Sequence, residues 1–359
     1  MVMDIWIDGR AACAEQRTGK GQWALRLVAE LLARRSVTIC IADETVPELW
    51  KPYEESIRRF SRGPLWHLQV SSAVKKALPI YIAPTSFIVP ALLPRLARCV
   101  LMVHDLIAFH KEPHERKARI IETCTLPRAL AKASCVLVTS EATKHDLLAK
   151  FPMATNMPIS CVHAGPTRDR VAASQPDGRT ILCPATLCPR KNQLRLIQAY
   201  MRLSPDLRSH YRIVLVGARG WQDREILRAA RSTCGVEWRQ YVSDTEYDHL
   251  LSTCAILAYP SLYEGFGLPV LDALQRGTPV LTSARGSLRE VAGDCAVLVD
   301  PECVEDISRG LAKLLGDPTL RQQLRAQGPV RASRYCWEAT VDATLQAIDT
   351  LQARRQFPS

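Results

Sequence analysis

The chain has 359 residues, 47% hydrophobic and 23% charged, which suits a globular protein and is long for one hydrophobic core. No run of eighteen apolar residues occurs, which excludes a transmembrane helix, and the amino terminus MVMDIWIDGR reads as a first strand and not as a signal peptide. Net charge is +11, with 24 Lys+Arg against 16 Asp+Glu in residues 1–170 and 23 against 20 in 171–359. An excess of cations suits nucleic acid, an anionic membrane or an anionic substrate.

In chain order, apolar runs predict strands at Met3–Ile7, Val37–Ala42, Pro79–Ala83, Cys99–His104, Ser134–Thr139 and Ile159–Val162. Helical patterns lie between them, among them Gln22–Arg35 and Glu141–Phe151, the latter opened by Ser140 as N-cap. The polar segment His163–Arg179, rich in Pro and Gly, reads as a linker. A second alternating set follows, with strands near Ile181–Ala185, Arg212–Val216, Ile256–Tyr259 and Pro279–Thr282. Two helical patterns, Val304–Leu315 and Trp337–Leu351, close the chain. Strands alternating with helices predict parallel, doubly wound sheets, so the chain reads as an α/β protein with two Rossmann-like domains. The domains are expected at 1–165 and 179–335, with the linker at 166–178 and a last helix, 336–359, packing back toward the first domain. The thirteen cysteines are scattered through apolar runs without a C-x-x-C pair. They read as buried, reduced thiols of a cytosolic protein.

Two stretches of the second half carry chemistry. The loop TLCPRKN places Arg190 and Lys191 just before a helix, with Asn192 as its N-cap. Cations are disfavoured beside a helix amino terminus unless they share an anion, and a diphosphate fits; the bland alternative is a solvated surface pair. Next, AILAYP runs into SLYEGFGLPVLDALQRG, whose Gly265 and Gly267 let backbone N–H groups approach a ligand. Glu264 in this turn needs a partner, and Asp272 is expected in the first helical turn, where dipole stabilisation alone would also explain it. In the first half, Gly19 and Gly21 form a short G-x-G loop, a weak signal. His104 and Asp105 end the strand CVLMVHD, although a strand-end histidine is more often structural. His104, His110 and His114 match no metal-ligand spacing. Nothing resembles a recognition helix, a stacking platform or a zinc finger, so nucleic acid is excluded as a partner.

The stretches ATLCPRKNQLRLIQAY, YPSLYEGFGLPVLDALQRGTPVLTS and SLREVAGDCAVLVDP resemble the family 4 retaining glycosyltransferases of the GT-B fold. RTGKGQW, MVHDLIAFH and VTSEATKHDLL extend the resemblance, more weakly, into the first half. The resemblance implies two domains facing across a cleft and transfer of a hexose from a nucleotide-diphosphate sugar to a glycan or lipid-linked glycan. It implies that Arg190 and Lys191 hold the donor diphosphate, while Gly265, Phe266, Gly267 and Leu268 line the donor sugar and phosphates. Glu264 and Asp272 fall on the family's E-x7-E positions, with a shorter second acid for the ribose. Gly19 and Gly21 would approach the donor phosphates and acceptor, where this chain carries Lys20 and Trp23, and His104 would contact the donor sugar or acceptor. No cofactor or metal is implied. GDP-mannose is the expected donor, because bacterial members with the same HD pair often transfer mannose. The rival readings are a nucleotide-sugar epimerase, a phosphorylase, or a non-catalytic protein that binds sugar nucleotides. The basic first half is expected to rest on the anionic cytoplasmic leaflet.

Overall fold

Runs of β-branched and aliphatic residues that are buried on both faces become the central strands of two parallel sheets, as such sheets require. The structure, a computed structural model, describes residues 4–95, 97–168 and 178–353. It divides into one unit of Met1–His110, Arg116–Thr167 and Tyr335–Ser359, and a second of Lys111–Glu115 and Arg168–Arg334. Of the linker expected at 166–178, residues 169–177 lie outside those described.

The first sheet has seven parallel strands: β1 (Ile5–Asp8), β2 (Val37–Ile41), β3 (Ile57–Arg59), β4 (Ile80–Ala83), β5 (Arg98–Val103), β6 (Cys135–Val138) and β7 (Ile159–Cys161). Their order is β3-β2-β1-β4-β5-β6-β7, with Ile5 in register with both Val37 and Ile80. The second sheet has six: β8 (Thr180–Pro184), β9 (Arg212–Val216), β10 (Val236–Trp238), β11 (Ile256–Tyr259), β12 (Val280–Ser283) and β13 (Val297–Val299). Their order is β10-β9-β8-β11-β12-β13. The winding direction reverses between β1 and β4 in one sheet and between β8 and β11 in the other. In open α/β sheets a crevice opens at the carboxyl ends of such strands, and ligands bind there. Each sheet therefore has one preferred place for a site.

The three strands absent from the sequence reading, β3, β10 and β13, are three residues long and lie at sheet edges. Edge strands are covered on fewer sides, so their apolar pattern is faint. The reading also lacks a helix, Pro318–Ala332, whose interior holds Gly328 and Pro329. Its start is conventional, since Asp317 Oδ1 accepts the Leu320 amide at 2.9 Å and Pro318 takes the first turn.

The helix expected from Gln22 begins three residues earlier, at Gly19, and ends at Leu32. Thr18 caps it by accepting from the Gly21 amide, so Gly19 and Gly21 belong to the first helical turn and not to a loop. A Cβ on Gly21 would sit 2.5 Å from the Ala11 carbonyl oxygen, so this glycine is fixed by close backbone packing. Trp23 is 2% exposed and sets its ring edge-on to His104, 5.0 Å between centroids. The last helix, Trp337–Ala353, packs on the Gly19–Leu32 helix within the same unit. Trp337 there lies 6.3 Å from Trp23, and its Nε1 donates to the Pro166 carbonyl at 2.7 Å.

Gly21→Ala should destabilise the protein by about 1–3 kcal/mol, because a backbone oxygen cannot yield as a side chain would. Gly316→Ala is the control, since a Cβ there meets nothing within 4 Å. Denaturant unfolding of both variants checks the contrast.

Candidate active site

Two loops leave the carboxyl ends of β8 and β11, the strands flanking the reversal in the second sheet. After β8 the chain makes a 3-10 turn, Pro189–Lys191, then passes through Asn192 into the helix Gln193–Met201. Asn192 does not cap that helix with its side chain, contrary to the sequence expectation. Its backbone is left-handed, at φ 64°. The side-chain amide instead donates to the Pro260 carbonyl at 2.9 Å and the Pro301 carbonyl at 2.6 Å. It thereby ties the β8 loop to those that follow β11 and β13. The Leu262 amide adds a backbone bond to the Arg190 carbonyl, 2.9 Å.

This stitching carries Arg190 and Lys191 onto Glu264, in the loop after β11. Lys191 Nζ lies 2.6 Å from Glu264 Oε1, and Arg190 NH1 lies 3.0 Å from Oε2. Arg190 NH1 also donates to the Tyr263 carbonyl at 2.8 Å. The anion that the two cations share is thus the protein's own carboxylate. The Glu264 side chain is 10% exposed and that of Lys191 13%. Burial raises the Glu264 carboxyl, but Arg190 and Lys191 outweigh it and hold the group below the ordinary carboxylate range. Burial pushes the Lys191 ammonium the other way, below its ordinary value, and Glu264 opposes that shift.

Beyond Glu264 the loop passes Gly265 and the buried Phe266 to Gly267, whose φ of 112° suits only glycine. The helix Leu268–Gln275 starts there. Because it starts at Leu268, Asp272 is its fifth residue and lies in the second turn, not the first. Asp272 is 2% exposed, too deep for the solvated dipole pairing that a first-turn acid makes. Ser287, at the head of the helix Gly286–Ala292, donates to the Glu264 carbonyl at 2.6 Å and fastens the loop from a third side. Sequence reasoning missed Ser287. It also missed Tyr259, the last residue of β11, whose hydroxyl meets both Lys191 and Glu264. A tyrosine ending an apolar strand next to a cation-rich loop was the available signal.

The other residues singled out in the sequence lie in the first unit. His104 follows β5 and is 9% exposed, with Nε2 2.6 Å from the Pro84 carbonyl. Burial and the Lys20 charge draw its pKa down to about 4, so the ring is neutral at neutral pH. It can serve as a positioned hydrogen-bonding group, and at that pKa it is a weak base. Its own carbonyl accepts from Thr139 Oγ1 at 2.8 Å. Lys20, between Gly19 and Gly21, is held by Asp105 at 3.2 Å and Glu122 at 3.8 Å.

The profile of the family described as Glycosyl transferases group 1 matches residues 166–331. O-antigen chain mannosyltransferase B of Escherichia coli is 30% identical over 273 residues, 72% of this chain and 71% of that protein. The MMP alpha-(1->4)-mannosyltransferase of Mycolicibacterium hassiacum is 28% identical over 228 residues, 61% and 54% of the two chains. Among solved structures, sucrose-phosphate synthase of Thermosynechococcus elongatus is similar with a TM-score of 0.78 at 18% identity, covering 98% of this chain and 100% of that one. That likeness is one of fold. With the arginine, lysine and glutamate of the second unit brought together, and with these relatives, the chain belongs to the group 1 glycosyl transferases, family 4-like enzymes of the GT-B fold.

Proposed function

We propose that the protein transfers mannose from GDP-mannose to a glycan or lipid-linked glycan, with retention of configuration, on the cytoplasmic side of a membrane. The observation that carries this reading is the buried contact of Arg190 and Lys191 with Glu264, a cationic pair ready to exchange one anion for another. Mannose is supported by the two relatives, an O-antigen chain mannosyltransferase and an MMP alpha-(1->4)-mannosyltransferase. The donor diphosphate takes the hydrogen bonds of Arg190 and Lys191, helped by backbone N–H groups of the Gly265–Leu268 turn. Charge that builds on the leaving diphosphate is then met by donors already in place, the main source of rate in such sites. Glu264, freed from the cations, favours the positive charge developing at the anomeric carbon. The acceptor hydroxyl attacks from the face that the diphosphate leaves. Asp272 holds the ribose, and His104 offers a neutral hydrogen bond to the donor sugar or acceptor beside Gly19 and Gly21.

The membrane part of the proposal rests on the helix Arg116–Leu130. Its outer surface shows Ile120, 64% exposed, and Ile121, 37% exposed, beside exposed Arg116, Lys117 and Arg128. Apolar side chains flanked by cations suit the interface of an anionic leaflet, where each basic residue adds about 1 kcal/mol. No helix among the described residues is long and apolar enough to cross a membrane.

Glu264→Gln should lower single-turnover mannosyl transfer about a hundredfold while changing donor affinity far less, since its charge acts in the transition state. Asp272→Asn should show the reverse balance, weakening nucleotide binding more than the chemical step. Calorimetry beside rapid-quench rates separates the two, once both variants are shown to melt near the parent. A Glu264→Gln enzyme at the parent rate would remove the assignment. Because cationic side chains handle the leaving group, chelator should leave the rate of the purified enzyme unchanged; a strict need for Mg²⁺ or Mn²⁺ would contradict the site. In liposome flotation, binding should require anionic lipid and fade as salt rises.

A further inference from the structure

Tyr259 ends β11 with its ring buried, 2% exposed. Thr282 Oγ1 on the neighbouring strand donates to its carbonyl at 2.9 Å, which pins the residue to the sheet. The hydroxyl sits between the two halves of the ion pair. Lys191 Nζ donates to it, and it lies 3.2 Å from Glu264 Oε1. The Lys191 ammonium is also 4.9 Å from the ring centroid. A phenol carries one proton, and with Lys191 donating to its oxygen that proton points to Glu264. Burial, reinforced by the Glu264 charge, keeps the phenol well above its ordinary pKa, so it remains a donor.

A diphosphate competes with Glu264 for Arg190 and Lys191. A buried carboxylate that loses its counter-ions moves toward protonation, and a protonated Glu264 cannot favour positive charge. The Tyr259 hydroxyl is a donor that the diphosphate does not displace, because it is fixed to a strand and not to the cationic loop. We infer that Tyr259 is a positioning residue, whose hydroxyl holds Glu264 ionised and aimed after the donor diphosphate has drawn Arg190 and Lys191 away. This deepens the function proposed above and rests on it.

Tyr259→Phe keeps the ring against Lys191 and deletes only the hydroxyl. The groups facing Glu264 are Arg190, Lys191 and Tyr259, with the Ser261 hydroxyl beside them. A carboxyl held low loses its charge only as pH falls through that low value. Deleting a donor raises the value, so the charge is lost at higher pH. GDP affinity at pH 8 should stay within about threefold of the parent, while single-turnover hydrolysis of GDP-mannose, in which water takes the mannosyl group and GDP leaves, falls roughly tenfold. The acid limb of the rate profile should move up by about one pH unit. A Phe variant with the parent rate and profile overturns the inference, as does a rate loss matched by equal losses of affinity and melting temperature. Glu264→Gln runs beside it, and a parent rate in that variant refutes the site itself. If the parent releases no GDP from GDP-mannose, the donor assignment fails, and buffer-dependent heats of GDP binding still decide. At pH 6 Tyr259→Phe should then take up more proton than the parent; equal uptake overturns the inference.

Discussion

A carboxylate buried between an arginine and a lysine organises the second unit. Taking each such ion out of water costs several kcal/mol, recovered only when geometry is good and the remaining hydrogen-bonding capacity is used. Here both Glu264 oxygens face a cation, its carbonyl is taken by Ser287, and Arg190 spends a second bond on the Tyr263 carbonyl. Asn192 bridges the chain segments around Pro260 and Pro301, so the loops supplying the charges cannot drift apart. The cluster's geometry is thus established before any ligand arrives.

The two sheets share a winding plan but treat their crevices differently. In the second unit the loops leaving the strands at the reversal bring two cations onto one carboxylate. In the first unit β1 ends on the ion pair of Asp8 with Arg10, 2.8 Å, while β5 is followed by a neutral imidazole pressed against a carbonyl and a tryptophan edge, with Lys20 held by two acids.

The central strands and the cationic loop were legible in the sequence because both signals are local. An apolar run of four or five residues announces a strand covered on both sides, and adjacent cations before a helix announce an anion. The edge strands β3, β10 and β13 were faint because their burial is partial, whereas the edge strand β7 shows in the run Ile159–Val162. Asn192 misled because an asparagine before a helix is ordinarily its cap, whereas here it spends its amide on two segments far away in sequence. Asp272 was placed one turn too early, since the start of its helix depends on the left-handed Gly267, which sequence does not distinguish from a plain turn. Ser287 was invisible for a related reason, since its role exists only once three loops meet; Tyr259 left only the faint signal of a tyrosine closing an apolar strand.

The last helix gives the first unit a discontinuous chain. Trp337 sits against Gly165 so closely that a Cβ on that glycine would fall 2.6 Å from its ring. Thr340 also donates to the His163 carbonyl. These contacts lie within the first unit, yet their two sides are separated along the chain by nearly the whole second unit. During synthesis, domains tend to fold in the order they emerge. Here the amino-terminal sheet must wait, incompletely covered, while residues 168–334 are made. The second unit, nearly contiguous, has every strand of its sheet before Trp337 emerges. The half of the enzyme translated first is therefore the half completed last, and the apolar surface awaiting Trp337 and its helix is the part of the nascent chain most in need of protection.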